Sequence, residues 1–399
     1  MSVPSSPSEA EIDSVDEDGA TSDTTADGSS HDRQVLVVGD DLAALATVGF
    51  LDQAGLAPVL ADSSHRRQTS SIVPIWRPGL ELLKQVGLYR PVIAAGTSLD
   101  ELRSFESSQP LARTTPSRPS LVAVDRDWLV SMFHRRFDDR IHMIDESVVS
   151  ASSVESGVIA TFEHDVTEQF DAVVVTDPAT FSQGRWSEQS SSVHWWSFDW
   201  PSSVPEPDTA QEVWTPSSVA LTVPSEGSVC GMLVSERQRV AITPLARDRL
   251  AAQFRSRCSS FGDAIAEVDK SALVYRQFPH SGPATLCVDN IALVGPAVHS
   301  SIPGDCLGPA LSIEDGWVLA DTLAYGPLSH RKALQEYAAR RRQRLARIYE
   351  TITDDVFTAR VDSDLSGAIR QLCVRRTLAF GHLFETIDTG LVENIPERL

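Results

Sequence analysis

The chain has 399 residues, enough for two packed domains with a large core, and no apolar run long enough to cross a bilayer. Its 55 acidic and 34 basic residues give a net charge of −21, which argues against non-specific binding to nucleic acid or to an anionic membrane. Only Lys84, Lys270 and Lys332 are lysines, so arginine supplies nearly all the positive charge. Acid-rich, lysine-poor composition of this kind resembles proteins of salt-accumulating halophiles. The alternative is a mesophilic protein with one acidic tail. Residues 1–32 hold nine acids and no Lys or Arg, which leaves −12 on the rest of the chain. Cys230, Cys258, Cys287, Cys306 and Cys373 show no redox or metal-ligand spacing, and no metal site is expected. Together with an acidic N-terminus unlike a signal peptide, they predict a cytoplasmic protein.

Residues 1–32, rich in Ser, Thr, Asp, Glu and Gly, read as a disordered acidic tail. The organising stretch follows it, from Gln34 to Asp62. Val35 to Val38 is a short β-branched run that predicts a buried strand. After Gly39, Leu42, Leu45, Val48 and Leu51 predict a helix, and Gly55 is placed to end it in a left-handed conformation. A second apolar run, Val59 to Ala61, delivers Asp62 at its carboxyl end. This is a βαβ unit with an acid 23 positions after its first glycine, the arrangement that holds a dinucleotide's pyrophosphate and ribose. The G-x-G-x-x-G pattern is altered, however, because the chain supplies Gly39, Asp41 and Ala44 at its three glycine positions. Alanine serves at the third, where helix–strand packing is the requirement. Asp41 adds bulk and like charge where backbone must approach phosphate.

Further on, Leu80, Leu83 and Val86 predict a short helix ending at Gly87. Residues 121–137 read as a strand, a cap at Asp125 or Asp127, and a helix with Trp128, Leu129 and Phe133 inward. Strands are predicted at Ser147–Ser152 and Val158–Glu163 around the turn at Gly157, and a buried run at Phe170–Val175 ends in Thr176 and Asp177. From Trp186 to Pro279, alternating aromatic segments predict an antiparallel sheet, followed by a helix over Ala246–Phe261. Ile291–Val294 is the next strand, and Leu311–Leu323 is helical. Ala333–Ile352 is a long helix with Leu334, Tyr337, Arg341, Leu345 and Ile348 on one face, and residues 366–387 predict a last helix. Arg340, Arg341, Arg342, Arg344 and Arg347 form the only basic cluster, expected to pair with the protein's own surface acids.

Three landmarks in this order resemble the FAD-dependent monooxygenases of the p-hydroxybenzoate hydroxylase type, from about Arg33 to about Arg347. Gly39 and Asp62 match the first phosphate-loop glycine and the ribose-binding acid. Arg126 matches the arginine of an R-x-x-L motif that lies against the flavin nucleotide. In the run from Gly295, residues Gly295, Ala297, His299 and Pro303 match the family's G-D-A-A-H-x-x-x-P pattern. Gly308 matches the turn glycine facing the flavin pyrimidine, and Glu314 and Asp315 match an acidic pair in the following helix. Asp177 matches the acid of the middle A-D-G motif. The resemblance thus implies cofactor contacts at Gly39, Ala44, Asp62, Arg126, Asp177, Gly295, Pro303 and Gly308. Departures fall on the same motifs: Asp41, Pro178 for a glycine, and Pro296 for a ribityl-binding aspartate each remove a cofactor contact.

The resemblance implies an α/β fold in which a Rossmann-like FAD-binding domain with a mixed sheet (33–72, 100–185 and 283–330) interleaves with an antiparallel-sheet substrate domain (73–99 and 186–282). Helices over 331–399 complete it. The activity implied is hydroxylation of a small organic molecule, aromatic compounds being among the candidates, with NAD(P)H as transient reductant. Trp195, Trp196 and Trp214 are candidates to line the substrate pocket, with sheet core as the alternative for at least two of the three tryptophans Trp195, Trp196 and Trp200. His299 in the family is usually structural, and no catalytic residue is assigned. Two other readings stay open: a non-catalytic paralogue that binds a ligand or partner, and a flavin-dependent prenyl-lipid reductase. Nothing in the sequence specifies a substrate or an oligomeric state.

Overall fold

The structure is a computed structural model and describes residues 34–63, 71–99, 101–105, 110–114, 121–137, 139–177, 193–214, 218–225, 228–235, 244–278, 285–299, 307–326 and 329–359. The tail over 1–32, the helix expected over 366–387, Pro178 and Pro303 lie outside the described residues.

The chain opens with β1 (Gln34–Val38), α1 (Leu42–Gln53) and β2 (Ala57–Ser63), then β3 (Ile72–Trp76), α2 (Arg77–Leu83), α3 (Tyr89–Ala95) and β4 (Thr97–Ser98). Next come β5 (Leu102–Phe105), β6 (Pro110–Thr114), β7 (Leu121–Asp125), α4 (Arg126–Phe137), β8 (His142–Val154), β9 (Gly157–Phe162), β10 (Thr167–Phe170) and β11 (Ala172–Val175). The middle of the chain forms β12 (Val193–Asp199), β13 (Ala210–Trp214), β14 (Ser218–Ser225), β15 (Ser228–Ser235), α5 (Pro244–Arg255), α6 (Ser259–Glu267) and β16 (Val274–Phe278). It closes with β17 (Cys287–Val288), β18 (Ile291–Leu293), α7 (Pro296–His299), α8 (Gly308–Tyr325) and α9 (His330–Ala359).

Three sheets result. The first has the order β10-β9-β8-β2-β1-β11-β18-β17, with β8, β2, β1, β11 and β18 parallel and the outer strands antiparallel. Its central strands are buried on both faces, which is why Val35–Val38 and Ala172–Val175 are continuous apolar runs without alternation. Helix α1 packs on it, with α8 over α1, and α1 is buried from Leu42 to Leu51 because it lies between the sheet and α8. Glycine permits that approach: a Cβ on Gly316 would lie 2.9 Å from the Thr47 backbone, and one on Gly79 would lie 3.3 Å from the Ala310 Cα.

The second sheet, β16-β12-β15-β14-β13-β5-β6, is antiparallel except where β13 pairs in parallel with β5. One face meets α5 and α6 in a separate core of Trp196, Phe198, Val213, Ala220, Phe254 and Phe261. On β13 and β14 the opposite face belongs to the main core through Ala210, Leu221 and Val223. A small sheet, β3-β7-β4, and the helix α2 stand close to α8. The expected α/β fold with a mixed sheet, a largely antiparallel second sheet and a helical end is therefore present.

Three details differ from expectation. The run Phe170–Val175 divides at Asp171, whose N–H donates to the Gln34 carbonyl, so Phe170 closes an antiparallel hairpin while Ala172 starts a parallel strand. The helix predicted over Ala246–Phe261 is two, because Cys258 is extended at φ −140°, ψ 106° and the second helix turns back with Gly262 against the Arg255 backbone. Strands β5 and β6 hydrogen-bond into the second sheet, although their place in the chain fell within the range assigned to the nucleotide-binding unit.

Candidate functional site

Parallel pairing puts the carboxyl ends of four strands on one edge. Val38 registers with Ala61 and Val175, and Val175 with Leu293, so Gly39, Asp62, Thr176, Asp177 and Gly295 follow along that edge. Strand β1 lies between β2, reached through α1, and β11, reached from the far side of the chain. This is a switch point, where open α/β sheets take ligands beyond their strand ends. The turn out of β1 requires glycine: Gly39 has φ +146°, and a Cβ there would lie 2.0 Å from Thr176 Oγ1. Its N–H donates to the Ala61 carbonyl at 3.0 Å, while Thr176 donates from both N–H and hydroxyl to the Val38 carbonyl. Gly295, at φ +58°, is equally constrained, since a Cβ would lie 2.3 Å from the Ala43 Cβ.

Asp41 caps α1. Its Oδ1 accepts the Ala44 N–H at 2.9 Å and its carbonyl accepts Leu45 N–H at 3.1 Å. Burial pushes the Asp41 carboxyl above its ordinary value and Asp40 adds to the rise, against the Ala44 amide, Arg126 and the Thr176 hydroxyl. Arg126 opens α4, whose cap is Asp125, accepting Trp128 N–H at 2.8 Å. Asp62 is exposed at the end of β2, and Asp177 is buried at the end of β11 with the Ser63 hydroxyl 3.5 Å away.

Beside this edge, α8 begins at Gly308, and among the described residues no side chain caps its buried N-terminus. A Cβ on Gly308 would meet no described atom within 4 Å, so there is open space beside the helix start. An uncapped helix N-terminus beside open space favours negative charge there.

A buried ionic network holds α7, α8 and α9 together behind the edge. Asp315 Oδ2 accepts Gly295 N–H at 2.7 Å and lies 3.1 Å from His299 Nε2. Arg341 donates from Nε to Asp315 at 2.6 Å and from Nη1 to Glu314 at 2.9 Å, and Arg344 reaches Glu314 at 3.3 Å. Burial pushes the Asp315 carboxyl up, but the Arg341 charge with His299 and Gly295 outweighs it and holds the group below its ordinary value. An ionised Asp315 needs a proton on His299 Nε2, so His299 is a hydrogen-bond partner of Asp315. The Arg cluster divides accordingly: Arg341 and Arg344 pair with buried acids rather than surface ones, while Arg340 meets Asp321 at the surface at 2.6 Å.

The structure thus gathers Gly39, Ala44, Asp62, Asp177 and Gly295 at one strand edge, with Asp41, Thr176 and Arg126 around the start of α1. Trp196 is placed elsewhere. It is buried under α5 and α6, and the cavity it lines there, of about 10 Å³, has room for no organic substrate. Its parity with Phe198 on β12 turns both toward those helices. The side chains of Trp195 and Trp214 lie outside those described. The sequence reading passed over Glu212, a fully buried carboxylate on β13 in line with Ala210, on the face shared with the main core. The sign was available: an acid at an inward position of an alternating strand. A polar cleft of about 480 Å³ lined by Glu155, Asp171, Asp289, Asn290 and Arg331 opens at the opposite, amino edge of the parallel strands. Among the described residues no group of three or more His, Cys, Asp or Glu is placed to hold a metal, and no helix is long and apolar enough to cross a membrane.

Solved structures share this architecture. HpxO of Klebsiella pneumoniae, complexed with FAD and uric acid, superposes with a TM-score of 0.71 over 89% of this chain and 96% of its own, at 15% identity. PqsL of P. aeruginosa, in complex with 2-aminobenzoylacetate, gives 0.69 over 88% and 99%, at 16% identity. The fold is that of the FAD-dependent monooxygenases. The resemblance drawn from the sequence motifs therefore holds at the level of the fold. In sequence, a flavin-dependent monooxygenase of an unknown prokaryotic organism is 23% identical over 154 residues, a stretch covering 37% of this chain and 40% of that relative. The chain thus matches about two-fifths of that curated relative's length. No protein-family model matches the sequence.

Proposed function

We propose that the chain is an FAD-dependent monooxygenase that hydroxylates a small aromatic molecule, with NAD(P)H as reductant. The observation that carries the reading is the meeting of two features on one side of the molecule: the switch-point edge of Gly39, Asp62, Asp177 and Gly295, and the α8 N-terminus beside open space at Gly308. The residues present fit FAD at both ends. Asp62 is exposed at the end of β2, where it would meet the ribose, and Arg126 would stand beside the nucleotide. The Gly308 and Ala310 amides, on either side of Pro309, which has none, suit the flavin pyrimidine. The middle of the site fits less well, since Asp41 sits where a phosphate approaches α1. Bound FAD would supply the electron transfer and oxygen activation that these side chains lack.

The chain's own part is positional. Gly39 and Gly295 bring backbone close to the cofactor edge, and the Asp315–Arg341 network fixes α8 against Gly295 and α7 beside it. The α8 N-terminus stabilises negative charge next to the open space. The residue ranges given above for the interleaved domains belong to this proposal, with β5 and β6 transferred to the second-sheet unit, as does a cytoplasmic setting, and the acidic surface suits high salt. HpxO with uric acid and PqsL with 2-aminobenzoylacetate support a small, planar, conjugated substrate. The experiment is a visible absorption spectrum after incubation with excess FAD in high salt, followed by NADH and NADPH oxidation with candidate aromatics. A shifted flavin band in the presence of excess FAD and reductant consumption that rises with substrate are expected. A folded protein that leaves the FAD spectrum unchanged at every pH would refute the proposal.

A further inference from the structure

The amino end of α1 already holds an anion of its own. Asp41 Oδ1 takes the Ala44 N–H at 2.9 Å, one of the few helix amides left to receive a phosphate oxygen. The carboxylate is held in this position by the backbone, with Asp41 in an extended conformation at φ −94°, ψ 175° and its own carbonyl already accepting Leu45 N–H. Around it stand one more acid, Asp40 from the same loop, one cation, Arg126 from the start of α4, and the Thr176 hydroxyl from the end of β11. Among the described residues, a pyrophosphate laid along this turn would therefore meet two carboxylates, with a single arginine to offset them.

We propose that Asp41 is an internal competitor for the pyrophosphate subsite: it occupies the α1 amide that a dinucleotide phosphate would use, and the dinucleotide binds only as the carboxylate swings out or loses its charge. This rests on the FAD reading of the same edge and adds a property to it, namely that cofactor occupancy is weak at neutral pH and rises with acidity. The direction follows from the surroundings. Burial and Asp40 push the Asp41 carboxyl up, so it takes a proton at a higher pH than an ordinary carboxylate. Protonation removes the repulsion and weakens the hold on Ala44 N–H together.

The test is an equilibrium titration of the full chain with FAD, followed by quenching of flavin fluorescence, for wild type, Asp41→Asn, Asp41→Gly and Asp40→Asn. Asparagine also caps helices, so Asp41→Asn keeps the fold, deletes the charge and leaves the Ala44 amide held only by a neutral, more easily displaced oxygen. It is expected to bind FAD about tenfold tighter than wild type or better near neutral pH, with an affinity that changes much less than that of wild type as the pH is lowered. Asp41→Gly is expected to tighten binding likewise, and the wild-type affinity to rise toward that of Asp41→Asn in acid. Asp40→Asn, which makes the same change in charge without touching the Ala44 amide, is expected to gain much less. Saturable binding in which Asp41→Asn stays within about twofold of wild type, with a flat wild-type pH profile, overturns the inference and leaves the flavin reading standing. No binding by any variant at any pH, in protein shown to be folded by circular dichroism, overturns both.

Discussion

Arg341 is the side chain on which the docking of α9 depends most, and its replacement by methionine tests the network quantitatively. Methionine keeps much of the volume and removes the charge. The loss falls on two charge-assisted hydrogen bonds, 2.6 Å to Asp315 and 2.9 Å to Glu314, at a position 1% exposed. Removing one member of a buried pair costs about 3–5 kcal/mol. The lower part of that range applies, because Asp315 keeps Gly295 N–H and His299 while Glu314 keeps Arg344. About 3.5 kcal/mol, with roughly 260 described residues each contributing about 2.1 cal/mol/K of unfolding entropy, lowers the melting temperature by about 6 °C.

The pH dependence has a definite sign. In wild type the Asp315 carboxyl lies below its ordinary value, so its contribution to stability is present above that value and is lost as the pH falls through the folded-state value. Without Arg341, burial dominates and the same carboxyl moves up, which destabilises the variant at neutral pH and less so in acid. Thermal and urea denaturation across the carboxylate range is therefore expected to show a gap between wild type and Arg341→Met that is widest at neutral pH and narrows on acidification. A difference under about 1 kcal/mol at neutral pH, or one independent of pH, would refute the reasoning.

Other changes test the edge and the surface. Gly295→Ala places a methyl 2.3 Å from the Ala43 Cβ at a left-handed φ, so it is expected to cost about 2 kcal/mol or more in urea denaturation and to abolish FAD binding. Asp62→Ala alters an exposed side chain and is expected to leave the melting temperature within about 1–2 °C while weakening FAD about tenfold or more, as read by fluorescence titration. With −12 on the chain beyond residue 32, molar potassium chloride is expected to raise the melting temperature; a fall would contradict the reading of the surface as salt-adapted.

Much of this fold is written locally. The βαβ unit is legible because a buried parallel strand, a helix and a left-handed glycine each leave a short-range mark at Val35–Val38, Leu42–Leu51 and Gly55. The face of α9 was legible down to Arg341, whose spacing from Tyr337 and Leu345 puts it inward among apolar residues. What the spacing cannot supply is the partner. The burial of Glu314 and Asp315 follows from α8 being covered on all sides, which is a property of the sheet and of α1 rather than of the helix sequence. Strand membership was lost for the same reason: β5 and β6 join the second sheet through long-range pairing with β13. Asp41 shows a different limit. Aspartate just before a periodic apolar run is a helix-start signal, but the damaged glycine pattern around it draws attention to what is missing rather than to the cap the carboxylate forms. The face of Trp196 depended on strand parity, which the aromatic density of the stretch concealed.

The central claim is that one FAD binds at the carboxyl edge of β1, β2, β11 and β18. It is tested most directly by titrating the purified wild-type chain with FAD up to about 1 mM, following flavin fluorescence and visible absorbance together. Saturation at one FAD per chain, with a shifted absorption band, is the predicted result. A chain folded by circular dichroism that gives a linear, unsaturated response over that range would contradict the account.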